Sequence, residues 1–307
     1  MTGNTGTART GERIISDPRT TPPPRSWLFT PATRPERFGK AAAAGAHVLI
    51  LDLEDSVSPG DKAAARHTAL ATLAGPAPVE RALRINALAT VAGMADLVAL
   101  LQHDAAPEYL VLPKTGSAAD LILLDALLTE AGKPTRLVGL IETAAALLEI
   151  GPIARATPRL AALLFGAADM AADLGVAPEW EPLAYARGVV VAGCAAGGVL
   201  AIDTPFFSPR DPDGVARETA RAIGFGFRAK AAIHPSQVGP INAAFTPSAV
   251  EIDRARRILA ENARGVGVVD GMMVDEAVAR KAREILRAAG EEIEEGRPGL
   301  GPGPAGA

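Results

Sequence analysis

Short apolar runs alternate with Ala- and Leu-rich stretches along most of the chain. The apolar runs read as strands: SWLFT (26–30), HVLILD ending at Asp52, RALRIN (81–86) and YLVLPK (109–114), then LVGLI, LAALLFG, VLAID (199–203) and RAKAAIHP (228–235). Helix signals fill the gaps. Gly45 closes the first helix, and 61–73, 93–103 and 117–131 follow, the last with Ser117 and Asp120 in a capping arrangement. Further helices are expected over 182–196 and 215–223. Eight strands alternating with helices predict an α/β fold, a (β/α)8 TIM barrel.

Two of the apolar runs, LVGLI and LAALLFG, are followed by an acid, Glu142 and Asp169, with a short helix, TAAALLEIGPIARA, between them. This pattern is a βαβ unit with a carboxylate at each strand's C-terminal end. Two such carboxylates suit Mg²⁺, which takes one or two acids plus water and substrate oxygens. The competing reading makes both acids caps or first-turn acids of the following helices. The other strand ends carry Thr30, the Asp52/Glu54/Asp55 cluster, Arg84 with Asn86, Lys114, Asp203 and His234. Barrel enzymes place their chemistry at this face. Three clustered acids call for a cation nearby. Arg34, Arg37 and Lys40, around the start of the first helix, fit either phosphate binding or a solvated face. His234, just before Pro235, fits a loop-fixing role.

Composition narrows the function classes. The 307 residues are 48% hydrophobic with a net charge of −4, so neither a nucleic-acid-binding surface nor a membrane span is indicated. One cysteine, Cys194, excludes an internal disulfide and a thiolate metal site. The N-terminus has no apolar secretory segment, which points to the cytoplasm. The expected organisation is a flexible leader over 1–24, a barrel over 25–245, a helical lid or oligomerisation segment over 246–290, and a Gly/Pro-rich disordered tail over 291–307. The lid segment carries an apolar GMMV run that needs a surface to cover.

Taken together, RSWLFTPATRPERFGKAAAAGAHVLILDLEDSV, RIN, VLPKTGSAADL, GLIET, LFGAADMAADLG, AIDTPF, KAAIHPSQVGPINAAFTPS and VDGMMVD resemble the HpcH/HpaI aldolase and citrate lyase beta-subunit superfamily. The likeness runs from about residue 25 to 288 and leans toward stand-alone citrate-lyase-beta-like, malyl-CoA and citramalyl-CoA lyases. It implies an Mg²⁺-dependent barrel assembled as a homotrimer or hexamer, with Glu142 and Asp169 as metal ligands. It also implies that Arg84 binds the substrate's acyl oxygens, that Asp52 and Asp55 order Arg84 and metal-bound water, and that the loop bearing Arg34 and Lys40 meets CoA phosphates. Asp275 matches a lid aspartate that completes a neighbouring subunit's site. The chain departs from the pattern twice. Ala168 stands where many relatives have Glu, and Glu276 with Ala277 follows Asp275 where a Pro is usual.

The implied reaction is reversible cleavage of a 3-hydroxyacyl-CoA, such as malyl-, citramalyl- or citryl-CoA, to a 2-oxo acid and acetyl-CoA. Two alternatives are a CoA-independent hydroxy-oxo-acid aldolase and an acyl-carrier-dependent beta subunit of a citrate lyase complex.

Overall fold

Strands buried on both faces need apolar side chains at nearly every position, and the eight runs supply them. The computed structural model describes residues 22–265 and 267–291. In it, β1 (Ser26–Pro31), β2 (Val48–Asp52), β3 (Glu80–Arg84), β4 (Tyr109–Leu112), β5 (Arg136–Ile141), β6 (Leu160–Phe165), β7 (Leu200–Asp203) and β8 (Ala229–Ala232) pair in parallel, each with the next. β8 pairs back onto β1, closing the barrel. The expected TIM barrel is the fold. The leader over 1–24 and the tail over 291–307 lie outside the described residues, except for 22–24 and 291.

Alternation divides each strand between two layers. Trp27, Val48, Ile50, Ala82, Tyr109, Val111, Val138, Leu140, Ala162, Leu164, Ile202, Ala229 and Ala231 fill the barrel interior. The intervening positions, among them Leu49, Leu51, Leu83, Leu110, Leu163 and Ala201, pack against the helices. Those helices are α1 (Phe38–Ala43), α2 (Lys62–Ala74), α3 (Val91–Gln102), α4 (Ala118–Glu130), α5 (Ala144–Leu148), α6 (Ile150–Ala154), α7 (Ala167–Leu174), α8 (Trp180–Gly197), α9 (Pro212–Phe225) and α10 (Val238–Ala244). Ser117 and Asp120 form the capping box of α4.

Three sequence expectations change. The single helix between β5 and β6 is two short ones, because Pro152 has no N–H to give the carbonyl of Leu148. Asp169 is not at a strand end but in the first turn of α7. Asp203, the last residue of β7, shares the outward-facing alternation of Ala201 and does not reach the barrel mouth. It pairs with Lys230 Nζ at 2.6 Å and with Arg187 Nε at 3.2 Å, all three side chains buried.

The chain separates into two compact units at Thr246/Pro247. In the second, α11 (Ala249–Asn262), the antiparallel pair β9 (Gly267–Val269) and β10 (Met272–Val274), and α12 (Glu276–Ala288) enclose a small core of Ala255, Ile258, Val269, Val274, Ala282 and Leu286. Ser248 and Glu251 form the capping box of α11. Met272 and Met273 are exposed. No helix among the described residues is long and apolar enough to cross a membrane.

Candidate active site

The alternation that fills the interior also decides which residues emerge at the C-terminal end of the barrel. Following each inward-facing series to the end of its strand and beyond gives Phe29 and Pro31 on β1, Asp52 at the end of β2 and Arg84 at the end of β3. Glu142 follows β5, Gly166 follows β6, Thr204 follows β7 and Ile233 follows β8. All of these line one cavity of about 370 Å³, together with Asp55, Asp169 and Phe207.

Arg84 is the most constrained of them. Its Nε and Nη2 donate to the two oxygens of Asp52 at 2.6 and 2.8 Å, and Nη1 donates to Asp55 Oδ2 at 3.2 Å. The Phe29 ring lies beneath the guanidinium, 4.7 Å from centroid to Cζ. Burial disfavours the charge of Asp52, but Arg84, Ser56 and the amide of Glu54 outweigh it and hold its carboxyl below the usual range. Burial also works against the charge of Arg84, and Asp52, Glu54 and Asp55 raise its pKa nonetheless. The loop bearing the acids is fixed from behind. Lys62 Nζ donates to the carbonyls of Leu53 and Glu54, and Asn86 Nδ2 to that of Leu53.

Glu54 is less well served. Its Oε2 lies 2.9 Å from Arg84 Nη1, yet it is buried with no donor aimed at it. Burial pushes its carboxyl up to about 8, with Asp55 and Glu142 adding to the rise and Arg84 opposing it.

Glu142 and Asp169 come from different elements and meet at Lys114. The backbone N–H of Lys114 donates to Glu142 Oε1 at 2.7 Å, and its Nζ donates to Asp169 Oδ1 at 2.9 Å. Burial raises the pKa of Glu142, Lys114 opposes the rise and Asp169 adds to it. Glu142 has room only because position 166 is glycine. A Cβ there would fall 2.6 Å from Glu142 Cβ and 2.8 Å from its Oε2.

The remaining predicted site residues lie apart from this wall. Arg34 and Lys40 are exposed and line no part of the cavity. Asp275 belongs to the C-terminal unit, where its carboxylate caps α12 by accepting from the N–H of Val278 at 2.9 Å. His234 is exposed and bonds Ser236 Oγ through Nδ1 at 2.7 Å, capping a short turn. Cys194 is buried, and burial pushes its thiol up to about 12, so it is no nucleophile at neutral pH. Phe29, Gly166, Thr204 and Phe207 carry no functional signal in the sequence. Their strands are apolar at nearly every position, so only the folded barrel shows that the first three share the inward-facing phase.

Comparison with known proteins identifies the family. The chain is 37% identical over 301 residues to an L-malyl-CoA/beta-methylmalyl-CoA lyase of Cereibacter sphaeroides, covering 87% of this chain and 95% of the relative. Among solved structures it is similar to RipC from Yersinia pestis, with 53% identity, a TM-score of 0.68, and coverage of 77% of this chain and all of that one. It is also similar to CitE from Mycobacterium tuberculosis in complex with magnesium, acetoacetate and coenzyme A. That match has 36% identity and a TM-score of 0.76, over 89% of this chain and all of the other. The profile of the HpcH/HpaI aldolase/citrate lyase family matches residues 25–235, which span the barrel and its acid pair, and the chain belongs to that family.

Proposed function

We propose that this protein is an Mg²⁺-dependent carbon–carbon lyase that cleaves, or forms, a 3-hydroxyacyl-CoA of the malyl-CoA type, giving a 2-oxo acid and acetyl-CoA. The observation that carries the reading is the convergence of Glu142 and Asp169 beside a preorganised Arg84 in a cavity sized for a small acid.

The residues present fit a magnesium ion. No group of three or more His, Cys, Asp or Glu that could hold a metal occurs among the described residues, so the donor set is a pair of hard carboxylates. Mg²⁺ is commonly held by such a pair, with water and substrate oxygens completing its shell. The side chain of Asp169 is 46% exposed, which leaves the pair open toward the cavity. When bound there, the ion supplies Lewis-acid polarisation of the substrate's hydroxyl and carboxylate.

The protein's own groups account for the rest. In cleavage the substrate's hydroxyl passes its proton to solvent at the open mouth of the cavity, the adjoining carbon–carbon bond breaks to release the 2-oxo acid, and the bond's electron pair stays on the thioester as an enolate. Arg84 uses three of its five N–H donors on Asp52 and Asp55, which leaves two for the enolate oxygen. Its orientation is set before substrate arrives, so little reorganisation accompanies reaction. Phe29, Leu140 and Leu164 make the neighbouring wall apolar, which strengthens these charge interactions. The enolate carbon then needs a proton, and Asp275 is assigned as its donor, from a neighbouring subunit of a homotrimer or hexamer. Arg34 and Lys40 are assigned to the CoA phosphates.

The test is a panel of malyl-, citramalyl-, citryl- and methylmalyl-CoA incubated with Mg²⁺, following 2-oxo acid release. We expect turnover of at least one thioester, abolished by EDTA and by Glu142→Ala. Cleavage of the free hydroxy acids instead, or full activity of Glu142→Ala in EDTA, overturns the assignment.

A further inference from the structure

The barrel mouth holds one cation that the chemistry above leaves unused. Lys114 follows β4 with φ +51°, in the left-handed region that residues other than glycine, asparagine and aspartate seldom adopt. That conformation turns two donors of one residue onto the acid pair. The backbone N–H lies 2.7 Å from Glu142 Oε1, while Nζ lies 2.9 Å from Asp169 Oδ1 and 3.4 Å from Glu142 Oε1. The two carboxylates stand on separate elements, one past the end of β5 and one in the first turn of α7, and they repel each other. The ammonium contacts both.

We propose that Lys114 is a positioning residue: its ammonium is a built-in counter-ion that keeps Glu142 and Asp169 converged in the absence of a divalent ion and gives them up when one binds. This rests on the reading of the acid pair as the metal site. The side chain is suited to move. It is 42% exposed, and a lysine stem is flexible with a compact charge. The backbone N–H has no such freedom, so Glu142 keeps its 2.7 Å bond after the ammonium leaves. The lysine therefore has two separable effects: its main chain orients one ligand, and its side chain competes with the ion for both.

Removing the ammonium should tighten Mg²⁺ binding and weaken the metal-free protein. The measurements are the Mg²⁺ dissociation constant by calorimetry on the full chain, and Tm in EDTA and in saturating Mg²⁺. For Lys114→Met we expect affinity to rise roughly two- to fivefold, the scale of a partly exposed ion pair. Tm should fall in EDTA and return to the wild-type value in Mg²⁺. Lys114→Gly also lacks the ammonium but suits a left-handed backbone, so it should tighten binding likewise and serves if the Met variant does not fold. Lys114→Arg keeps the charge and should show no gain. Unchanged or weaker Mg²⁺ binding in both the Met and Gly variants overturns the proposal. Glu142→Gln separates the two ideas. If it binds Mg²⁺ like the wild type, the metal-site reading fails. If it loses binding while the Lys114 variants match the wild type, only the role of the lysine fails.

Discussion

Asp52 and Asp55 fix the Arg84 guanidinium with three hydrogen bonds, so a substitution at Arg84 tests shape as much as charge. In Arg84→Lys the charge stays but the two-pronged bond to Asp52 is lost, along with the spare donors. We expect turnover to fall by about 100- to 1000-fold with a smaller change in apparent affinity for the thioester, read from steady-state kinetics. A change confined to affinity would put Arg84 in the nucleotide site. Glu54 makes a different test, of stability against pH. Its carboxyl titrates near 8 in the folded protein, against about 4.3 in an unfolded chain. Between those values the folded state holds a proton that the unfolded state has released, so stability falls as pH rises through this window. Glu54→Gln removes that penalty. In EDTA it should leave Tm unchanged at pH 4 and raise it at pH 9, and a gain of equal size at both would sink the argument. At this scale the sequence was informative where charge alone decides. Three acids beside one another required a cation, and Arg84 supplies it. The sequence put Lys114 at a strand end but was silent on the left-handed backbone that aims it at the acid pair, and on Gly166, whose value is the space it leaves for Glu142.

Elements turn the same residue types to different uses. Asp52 and Asp203 both end apolar strands, and hydropathy treats them alike. One faces the cavity and the other faces the helix layer, because their strands enter the alternation on opposite phases. In a strand buried on both faces every position is apolar, so the phase cannot be read from hydropathy, and the strand ends looked uniformly functional. Asp203 instead neutralises Lys230 and Arg187 between β7, β8, α8 and α9, with Glu218 Oε1 sharing Lys230 at 2.8 Å. Removing one partner of a buried pair typically costs about 3–5 kcal/mol. We expect Asp203→Ala to lose about 3 kcal/mol in urea unfolding while its Mg²⁺ affinity matches the wild type. Lost Mg²⁺ binding in well-folded Asp203→Ala would return Asp203 to the mouth chemistry. The strands themselves were legible because their apolar runs end at turn signals. The break between α5 and α6 turned on a single missing N–H at Pro152, which an Ala- and Leu-rich stretch conceals.

At the scale of the whole molecule, the C-terminal unit carries apolar side chains that its own fold does not cover. That unit has its own small core, and it still leaves Met272 and Met273 exposed on β10, directly before Asp275. Exposed methionines beside an exposed carboxylate suit a surface that meets another protein face. The hypothesis is that Asp275 of one subunit completes the site around Glu142, Asp169 and Arg84 of the next. Asp275→Ala and Glu142→Ala should then each be inactive as pure proteins, for different reasons. When the two are mixed, dissociated in mild denaturant and reassembled, a site built from the barrel of the Asp275 variant and the lid of the Glu142 variant contains every intact group. Random mixing places such a combination at about one site in four of a cyclic oligomer. We therefore expect activity to return to roughly a quarter of the wild-type value, and only after subunits exchange. Mixing without exchange should recover none, which controls for contaminating enzyme. Reassembled oligomers with no regained turnover, or a fully active monomer on sizing, would refute the shared site and leave Asp275 as the N-terminal cap of α12.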